Sequence, residues 1–253
     1  MQLSKILTST HLRKVPQITI YFWIIKLLTT AMGETTSDFM VHQLNPVIAV
    51  GIGALGLLIA LFLQFIVKKY IPFVYWFAAS MVAVFGTMAA DVLHIGFGIP
   101  YYISSIFFSL VLIITFVVWF SFEKTLSIHS ITTYRREIFY WITVLATFAL
   151  GTAVGDMTAV TFGLGYLTSG IVFFVVILIP LFIYIVWKNF SIFCFWFAYI
   201  ITRPLGASFS DWMGKPQSLN GLNYGTGKVS IVLTIVIFLL VVFMTITKKD
   251  VEA

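Results

Sequence analysis

Long apolar stretches alternate with short polar segments along the whole chain. Eight of these stretches, each about twenty residues long, predict helices of the length that crosses a lipid bilayer. They are residues 16–38, 46–67, 72–94, 101–122, 138–158, 164–187, 190–211 and 228–247. Prolines stand at four of the expected helix starts, where a missing N–H costs nothing: Pro16, Pro46, Pro72 and Pro100. Pro180 and Pro204 lie inside predicted helices, so a kink or break is expected there.

A polar pattern recurs in every second stretch. An aromatic residue precedes a Trp, a Gly follows that Trp by ten residues, and an Asp follows it by fifteen. The four copies are Phe22-Trp23 with Gly33 and Asp38, Tyr75-Trp76 with Gly86 and Asp91, Tyr140-Trp141 with Gly151 and Asp156, and Phe195-Trp196 with Gly206 and Asp211. Four of the five Asp residues in the chain occupy this one position, which indicates a fourfold internal repeat.

Each repeat holds two predicted helices, at approximately residues 16–70, 71–124, 134–188 and 189–248. No linker or soluble domain interrupts them, so residues 1–253 are predicted to form a single membrane domain. Because two helices return the chain to the side where it started, all four repeats share one orientation. The pattern predicts parallel repeats around a pseudo-fourfold or two-fold axis normal to the membrane.

Composition supports an all-α integral membrane protein. The chain is 60% hydrophobic and 9% charged, whereas soluble domains are about 25% charged. Lipid must then replace water around most of the surface, and the backbone must satisfy its own hydrogen bonds. The formal charge of +6 comes from basic residues between the apolar stretches, which is typical of topology signals and not of a nucleic-acid surface. Cys194 is alone in an apolar stretch and is expected to be a small buried residue.

The basic residues also predict orientation. Eleven lie at the chain ends or in the even-numbered loops: Lys5, Arg13, Lys14, Lys68, Lys69, Lys124, Arg135, Arg136, Lys188, Lys248 and Lys249. Only Lys215 and Lys228 lie in the opposite loops. The positive-inside rule therefore places both termini in the cytoplasm. A cleaved signal peptide is not expected, because the first apolar stretch carries the first repeat.

A polar stripe along the first stretch contains the candidate site residues. Lys26, Thr30, Glu34 and Asp38 are four residues apart and share one helix face. The other repeats carry matching stripes, namely Thr87 with Asp91, Thr152 with Asp156, and Arg203 with Ala207 and Asp211. Charged side chains avoid lipid, so the four stripes should face one another. The repeated Gly lies close to this face, where it allows helices to approach closely or leaves room for a cavity.

The stripes hold five acids and two bases, a formal excess of three negative charges (5 − 2). Water, protons or bound cations must balance it, because an ionised Asp at mid-bilayer costs about 2.5–3.5 kcal/mol. Carboxylates and hydroxyls suit H⁺, Na⁺, Mg²⁺, Ca²⁺ or Mn²⁺. We therefore expect a proton-coupled exporter of a hard cation such as Mn²⁺, not an enzyme, with lipid and a small cation as its partners and no cofactor.

The candidate roles follow from residue type. The possible metal ligands are Asp38, Asp91, Asp156 and Asp211, and the hydroxyls beside them are Thr30, Thr87 and Thr152. Glu34, one turn from Asp38, is the expected proton carrier. Lys26 and Arg203 are expected to act as internal counter-ions that form a charge gate. His42 and His94 follow Asp38 and Asp91 by one turn and could join the site, or could be simple interfacial residues.

Other interpretations of the same residues remain open. Each Asp could cap a turn or lie among lipid headgroups, and each Trp could belong to an interfacial belt. The protein would then be a non-catalytic membrane scaffold or sensor. An intramembrane aspartyl enzyme is a third possibility, because such an enzyme needs two carboxylates that share a proton. Gly155-Asp156 resembles part of such a site, but the rest of the motif is missing.

The repeats resemble a known family. The segments KVPQITIYFWIIKLLTTAMGETTSD, YWITVLATFALGTAVGD and FWFAYIITRPLGASFSDW are similar to a bacterial family of uncharacterised membrane-anchored proteins. That family has four tandem repeats of unknown function, each with two membrane helices and a characteristic Trp. The second repeat, YWFAASMVAVFGTMAAD, keeps the Trp, Gly and Asp but is otherwise a looser match. The resemblance implies the eight-helix fold in a bacterial inner membrane and implies no activity.

Overall fold

The computed structural model describes residues 13–251, which contain eight long α-helices and no β-strand. The helices are α1 (Ile20–Gln43), α2 (Pro46–Ile66), α3 (Pro72–Asp91), α4 (Tyr101–Glu123), α5 (Tyr134–Asp156), α6 (Gly165–Val186), α7 (Ser191–Gly214) and α8 (Thr226–Thr247). Short π-helical turns, Val92–Gly96 and Met157–Thr161, extend α3 and α5. The prediction of eight helices is confirmed. Lys5 and the question of a signal peptide lie outside the described residues.

The first helix begins later than predicted. Pro16 does not start α1; the helix begins at Ile20, with Thr19 as its N-cap, and it continues past Asp38 to Gln43. Residues 13–19, here called the N-terminal strap, are held instead by other segments. Backbone bonds join Lys14 N to the Ile131 carbonyl (3.2 Å) and Gln17 N to the Asp250 carbonyl (3.0 Å). These long-range bonds keep the strap extended, and local sequence does not reveal them.

The internal prolines do not interrupt their helices. Pro180 lies within α6, and α7 runs unbroken through Pro204, so the predicted break at Pro204 is wrong. A proline removes one hydrogen bond of the helix ladder, and packing on both sides can compensate for that loss. Pro204 is buried, and its Cα lies 3.7 Å from the position that a Cβ on Gly155 of α5 would take.

The four odd-numbered helices form a closed ring, here called the inner ring. In order around it, α1 contacts α3, α3 contacts α5, α5 contacts α7, and α7 contacts α1. The even-numbered helices lie outside this ring, and each packs chiefly on the inner helix of the following repeat. Thus α2 packs on α3, α4 on α5, and α6 on α7, while α8 packs on α1 and closes the circle.

The repeated glycines mark the contacts within the inner ring. A Cβ added to Gly33 would collide with Ala83 of α3, and one added to Gly151 would collide with Arg203 of α7. Gly86 and Gly206 make the equivalent contacts, with Phe148 of α5 and Thr30 of α1. In all four contacts the residue that is touched precedes the next repeat's Gly by three positions. These glycines therefore serve close helix approach, the first of the two roles considered above.

Seven of the eight helices in the described residues are long and apolar enough to cross a membrane, as is typical of a multi-pass membrane protein. The outer helices expose many large apolar side chains, among them Val47, Leu58, Phe182 and Ile231. The helix that does not meet this standard is α1, which carries Lys26, Glu34 and Asp38. It is enclosed by α3, α7 and α8, and its polar side chains are mostly buried.

Candidate functional site

Glu34 lies at the centre of the inner ring. It follows the repeated Gly by one position, and the residues that match it in the other repeats are Thr87, Thr152 and Ala207. The Glu34 Oε2 atom accepts hydrogen bonds from Thr152 Oγ1 (2.9 Å) and Thr87 Oγ1 (3.1 Å). The two threonine hydroxyls are themselves 3.2 Å apart. Glu34 is only 3% exposed, so these two hydroxyls replace water around its carboxyl group.

The four repeated Asp residues lie one helical turn further along their helices, at what we call the acid end of the ring. Asp156 and Asp211 are buried, whereas Asp38 and Asp91 are half-buried. Asp38, Asp91 and Asp156 are all close enough to act electrostatically on Glu34. The structure therefore brings together the five acids that the helical spacing predicted would face one another.

Lys215 is the cation at the acid end, and the spacing argument did not assign it a role. Its Nζ lies 3.2 Å from Asp211 Oδ2 and 3.4 Å from Asp38 Oδ2, so it joins α7 to α1. It also lies 4.9 Å from the ring centroid of Tyr166. Burial lowers the pKa of Lys215, but Asp211 and Asp38 outweigh burial and hold that pKa well above its usual value. Its place four residues after Asp211, in a loop poor in basic residues, was the available signal.

Lys26 and Arg203 lie on the other side of Glu34, toward the helix starts. Lys26 Nζ donates to the Tyr199 carbonyl (2.9 Å) and contacts the Thr202 hydroxyl. The Arg203 guanidinium donates to Thr30 Oγ1 and to the Tyr199 hydroxyl, both at 3.0 Å. Among the described residues no carboxylate lies within 4.0 Å of either base. Eight residues separate Lys26 from Glu34, or about 12 Å of helix rise.

Aromatic side chains pack among the inner helices at this opposite end, which we call the aromatic end. The Arg203 guanidinium carbon lies 3.1 Å from the Phe148 ring centroid, and Lys26 Nζ lies 3.8 Å from that of Tyr199. Cation–π contacts and neutral hydrogen-bond acceptors thus stabilise both charges, and no carboxylate of the described residues lies within 4.0 Å. Tyr199 was not singled out by the sequence, because apolar neighbours surround it there.

The tryptophans of the repeat belong to this aromatic packing. Trp76, Trp141 and Trp196 are each 5% exposed or less, so the interfacial-belt interpretation is wrong for these three. Trp23 is half-buried, and its ring packs on Phe195 at a centroid distance of 5.7 Å. Trp196 Nε1 donates to the Leu126 carbonyl (2.8 Å), which ties α7 to the loop between α4 and α5.

The histidines bond to backbone carbonyls. The Nδ1 atom of His42 lies 2.7 Å from the Asp38 carbonyl oxygen, and that of His94 lies 2.6 Å from the Ile99 carbonyl oxygen. His94 also stacks on Tyr101. Within residues 13–251, no three His, Cys, Asp or Glu side chains are arranged so that they could hold a metal ion together. The four repeated Asp residues nevertheless lie at one end of the inner ring, and Lys215 lies between Asp38 and Asp211.

An apolar groove lies away from the acids. It has a volume of about 640 Å³ and runs along α1, α6 and α7 on the outside of the inner ring. Its walls are chiefly apolar, with Trp23, Pro180, Cys194 and Phe195 among them, and none of the five acids lines it. Cys194 is buried, as its apolar surroundings in the sequence predicted.

Comparison with known proteins gives one match. A protein-family model described as Repeat of Unknown Function (DUF347) matches four successive segments, residues 21–70, 74–125, 139–189 and 194–250. These segments together cover most of the chain, and the match confirms the resemblance seen in the repeated motifs. No curated protein and no solved structure matches the chain.

Proposed function

Because the chain belongs to the family of the Repeat of Unknown Function (DUF347), whose description names no activity, we propose its function from the site itself. The protein is a membrane transporter that moves a hard cation through the inner ring. Its cation site is the acid end, and protons are the coupling ion.

The proposal includes an arrangement in the membrane. All eight helices cross the bacterial inner membrane, and α1 crosses it enclosed by α3, α7 and α8. The four repeats are related by a pseudo-fourfold axis along the membrane normal, which the equivalent glycine contacts around the ring support. The excess of basic residues near the chain ends and even-numbered loops supports a cytoplasmic aromatic end and an outward acid end.

The observation that carries the proposal is the charge at the acid end. Four Asp residues from four helices lie there, Glu34 lies one helical turn away, and Lys215 is paired with Asp38 and Asp211. If all five were ionised, they and Lys215 would leave a formal charge of −4 (−5 + 1) in a packed interior. Isolated charges in an apolar interior are too costly to persist, so protons or bound cations must balance the remainder. A site that must exchange such ions is suited to their transport.

The chemistry of the acid end fits a hard cation. Its carboxylate and hydroxyl oxygens suit Mn²⁺, Mg²⁺, Ca²⁺ or Na⁺, and we propose Mn²⁺ as the transition metal that fits best. The ligands in this proposal are Asp38, Asp91, Asp156 and Asp211, whose side chains must move closer together than they lie in this structure to hold one ion. Glu34 carries the coupling proton, with Thr87 and Thr152 holding its carboxyl group. Lys26 and Arg203 form a positively charged gate on the cytoplasmic side of Glu34, and Thr30 belongs to the ion-binding hydroxyls.

Flux into proteoliposomes tests this function. Vesicles containing the purified protein are loaded with a dye that reports Mn²⁺, and a second dye reports internal pH. We expect Mn²⁺ movement with opposite proton movement, and loss of at least nine-tenths of that flux in Asp38→Asn and in Asp156→Asn. Asp250→Asn is the matched control, because Asp250 is the one Asp outside the repeated position. Equal flux in all variants and in empty vesicles would favour the scaffold instead.

A further inference from the structure

We propose that the Lys215 side chain is a tethered cation, which fills the acid end when no substrate ion is bound and which the substrate ion must displace. This inference rests on the proposed function, since it names what regulates access to that same site. Removing the lysine should therefore tighten the binding of a substrate cation, the opposite of what the loss of an ordinary structural ion pair would do.

The position of the ammonium group is the first observation. Lys215 Nζ lies between carboxylates of two inner helices that adjoin in the ring, Asp211 of α7 and Asp38 of α1. It also acts electrostatically on Glu34, Asp91 and Asp156. A single ammonium therefore lies within the field of all five acids, where a substrate cation would have to bind.

The looseness of these contacts is the second observation. Distances of 3.2 and 3.4 Å exceed the roughly 2.7–2.9 Å of a charge-assisted N–H···O bond. Asp38 Oδ2 accordingly has no hydrogen-bond partner even though it is paired with Lys215. Asp211 is 1% exposed, and its other oxygen, Oδ1, has no hydrogen-bond partner among the described residues. Carboxylate oxygens that are buried and unpartnered are free to accept a ligand.

The loop that carries Lys215 is the third observation. Lys215 directly follows α7, and the backbone then turns back on itself, with Asn223 N donating to the Lys215 carbonyl (2.9 Å). Gly221 N donates to the Pro216 carbonyl (3.1 Å). A Cβ at Gly221 would collide with the Lys215 carbonyl oxygen, so this turn requires a glycine. This tight turn therefore fixes the backbone of Lys215 beside the acid end.

The two cations differ in the contacts that they can make. An ammonium has three donors on one flexible stem and is held here by two carboxylates. A divalent ion such as Mn²⁺ binds several oxygen ligands directly and carries twice the charge. A divalent ion that binds several of the Asp residues would therefore displace the Lys215 ammonium. Na⁺ would displace it less readily. Its side chain is 18% exposed, which gives it a way out of the site.

Mn²⁺ titrations of the purified protein, followed by the rise in Tm, test this inference. The variants are Lys215→Met and Gly221→Ala, with Lys228→Met as the control, because Lys228 is an exposed lysine of the next helix. We expect the apparent Kd for Mn²⁺ to fall at least tenfold in Lys215→Met and to change less than twofold in Lys228→Met. Gly221→Ala keeps the lysine charge but disturbs its tether, so its Kd should also fall, at least threefold.

A second measurement uses the unmodified protein, in case a variant fails to fold. Brief acetylation followed by peptide mass spectrometry reports how accessible each lysine is. Saturating Mn²⁺ should raise acetylation of Lys215 at least threefold and leave Lys228 unchanged.

The outcomes separate the two proposals. Mn²⁺ binding to the unmodified protein with no gain in either Lys215→Met or Gly221→Ala, and no change in Lys215 acetylation, would overturn the tethered cation alone. No Mn²⁺, Mg²⁺ or Na⁺ effect on the Tm of any variant would overturn the cation site and the tether together.

Discussion

Thr152 donates a hydrogen bond from Oγ1 to Glu34 Oε2 at 2.9 Å, although the two residues lie on opposite helices of the inner ring. Thr87, on the helix between them, donates to the same oxygen. Three repeats therefore meet at one carboxyl group. Removing one of these hydroxyls should therefore destabilise the fold more than removing a hydroxyl that bonds within its own helix.

Thr152→Val is expected to lower the free energy of unfolding by about 1–3 kcal/mol, the range for a buried polar group that loses a hydrogen-bond partner. Thr143→Val is the matched control, because Thr143 is fully buried on the same helix and donates to the Phe139 carbonyl (2.8 Å). That variant should lose no more than about 1 kcal/mol. Unfolding in SDS, followed by Trp fluorescence, measures both. Equal losses in the two variants would show that the hydrogen bond to Glu34 contributes no more than one within a helix.

Gly151→Ala is expected to destabilise the protein by about 1–3 kcal/mol, because overpacking forces neighbouring atoms to move. The added Cβ would meet Arg203 Cβ and backbone, which cannot shift without moving α7. Gly51→Ala provides the contrast, since nothing lies within 4 Å of its added Cβ. Removing a helical glycine there should be neutral or stabilising by up to about 1 kcal/mol. Tm values in one detergent compare the two, and a similar fall in both would refute close packing at Gly151.

Lys14→Met is expected to cost about 3–5 kcal/mol, the penalty for leaving a buried charge without its partner. Lys14 Nζ lies 2.5 Å from Oε2 of Glu137, which is fully buried. The double variant Lys14→Met with Glu137→Met should recover most of that loss, because no charge is then left unpaired.

Arg135→Met is the control for the Lys14 variant. Arg135 also pairs with a carboxylate, that of Glu123, but its side chain is 63% exposed. Its loss should cost no more than about 1 kcal/mol. A Lys14 variant as stable as the Arg135 variant would mean that the N-terminal strap contributes little to the fold.

A circular permutant should fold, because the two ends of the described residues meet at the aromatic end. Gln17 N lies 3.0 Å from the Asp250 carbonyl oxygen, so a peptide linker can join the two ends of the chain. New ends between Lys188 and Asn189 leave every α-helix intact, since they interrupt only the short 3₁₀ turn Lys188–Phe190. We expect a Tm within about 5 °C of the parent, given that a change of 1 kcal/mol shifts Tm by about 2–4 °C in domains of this size. Truncation after residue 188 removes α7 and α8 from α1 and should abolish folding. Folding of the truncated chain but not of the permutant would contradict the closed ring.

The features that could be predicted from the sequence are those that helical periodicity controls. Apolar length gave the eight helices, and the spacing of Glu34 and Asp38 gave a shared face. That face could point only toward the other helices, since lipid would not accept it. Local spacing does not say which residues lie opposite. The hydroxyls bonded to Glu34 therefore appeared only as members of a stripe, without partners.

The features that were missed depend on contacts between distant segments. Lys215 lies beyond its helix, and its side chain reaches Asp38 because the following turn closes tightly at Gly221. The start of α1 moved to Ile20 because strand-like bonds to Ile131 and Asp250 hold the strap extended. Lys26 and Arg203 were assigned to the acids by charge alone, yet Tyr199 lies nearer to both.

The packing of each outer helix on the next repeat bears on how such a protein could arise. The outer helix of each repeat packs on the inner helix of the next repeat. This is the head-to-tail type of contact by which separate subunits form a closed ring. Four identical two-helix chains could satisfy every such contact, as the subunits of a cyclic tetramer do. Identical chains would place four copies of Glu34 together at the centre. Four repeats in one chain can differ at that position, which here holds one glutamate, two threonines and an alanine, so repeated helix contacts enclose an asymmetric site.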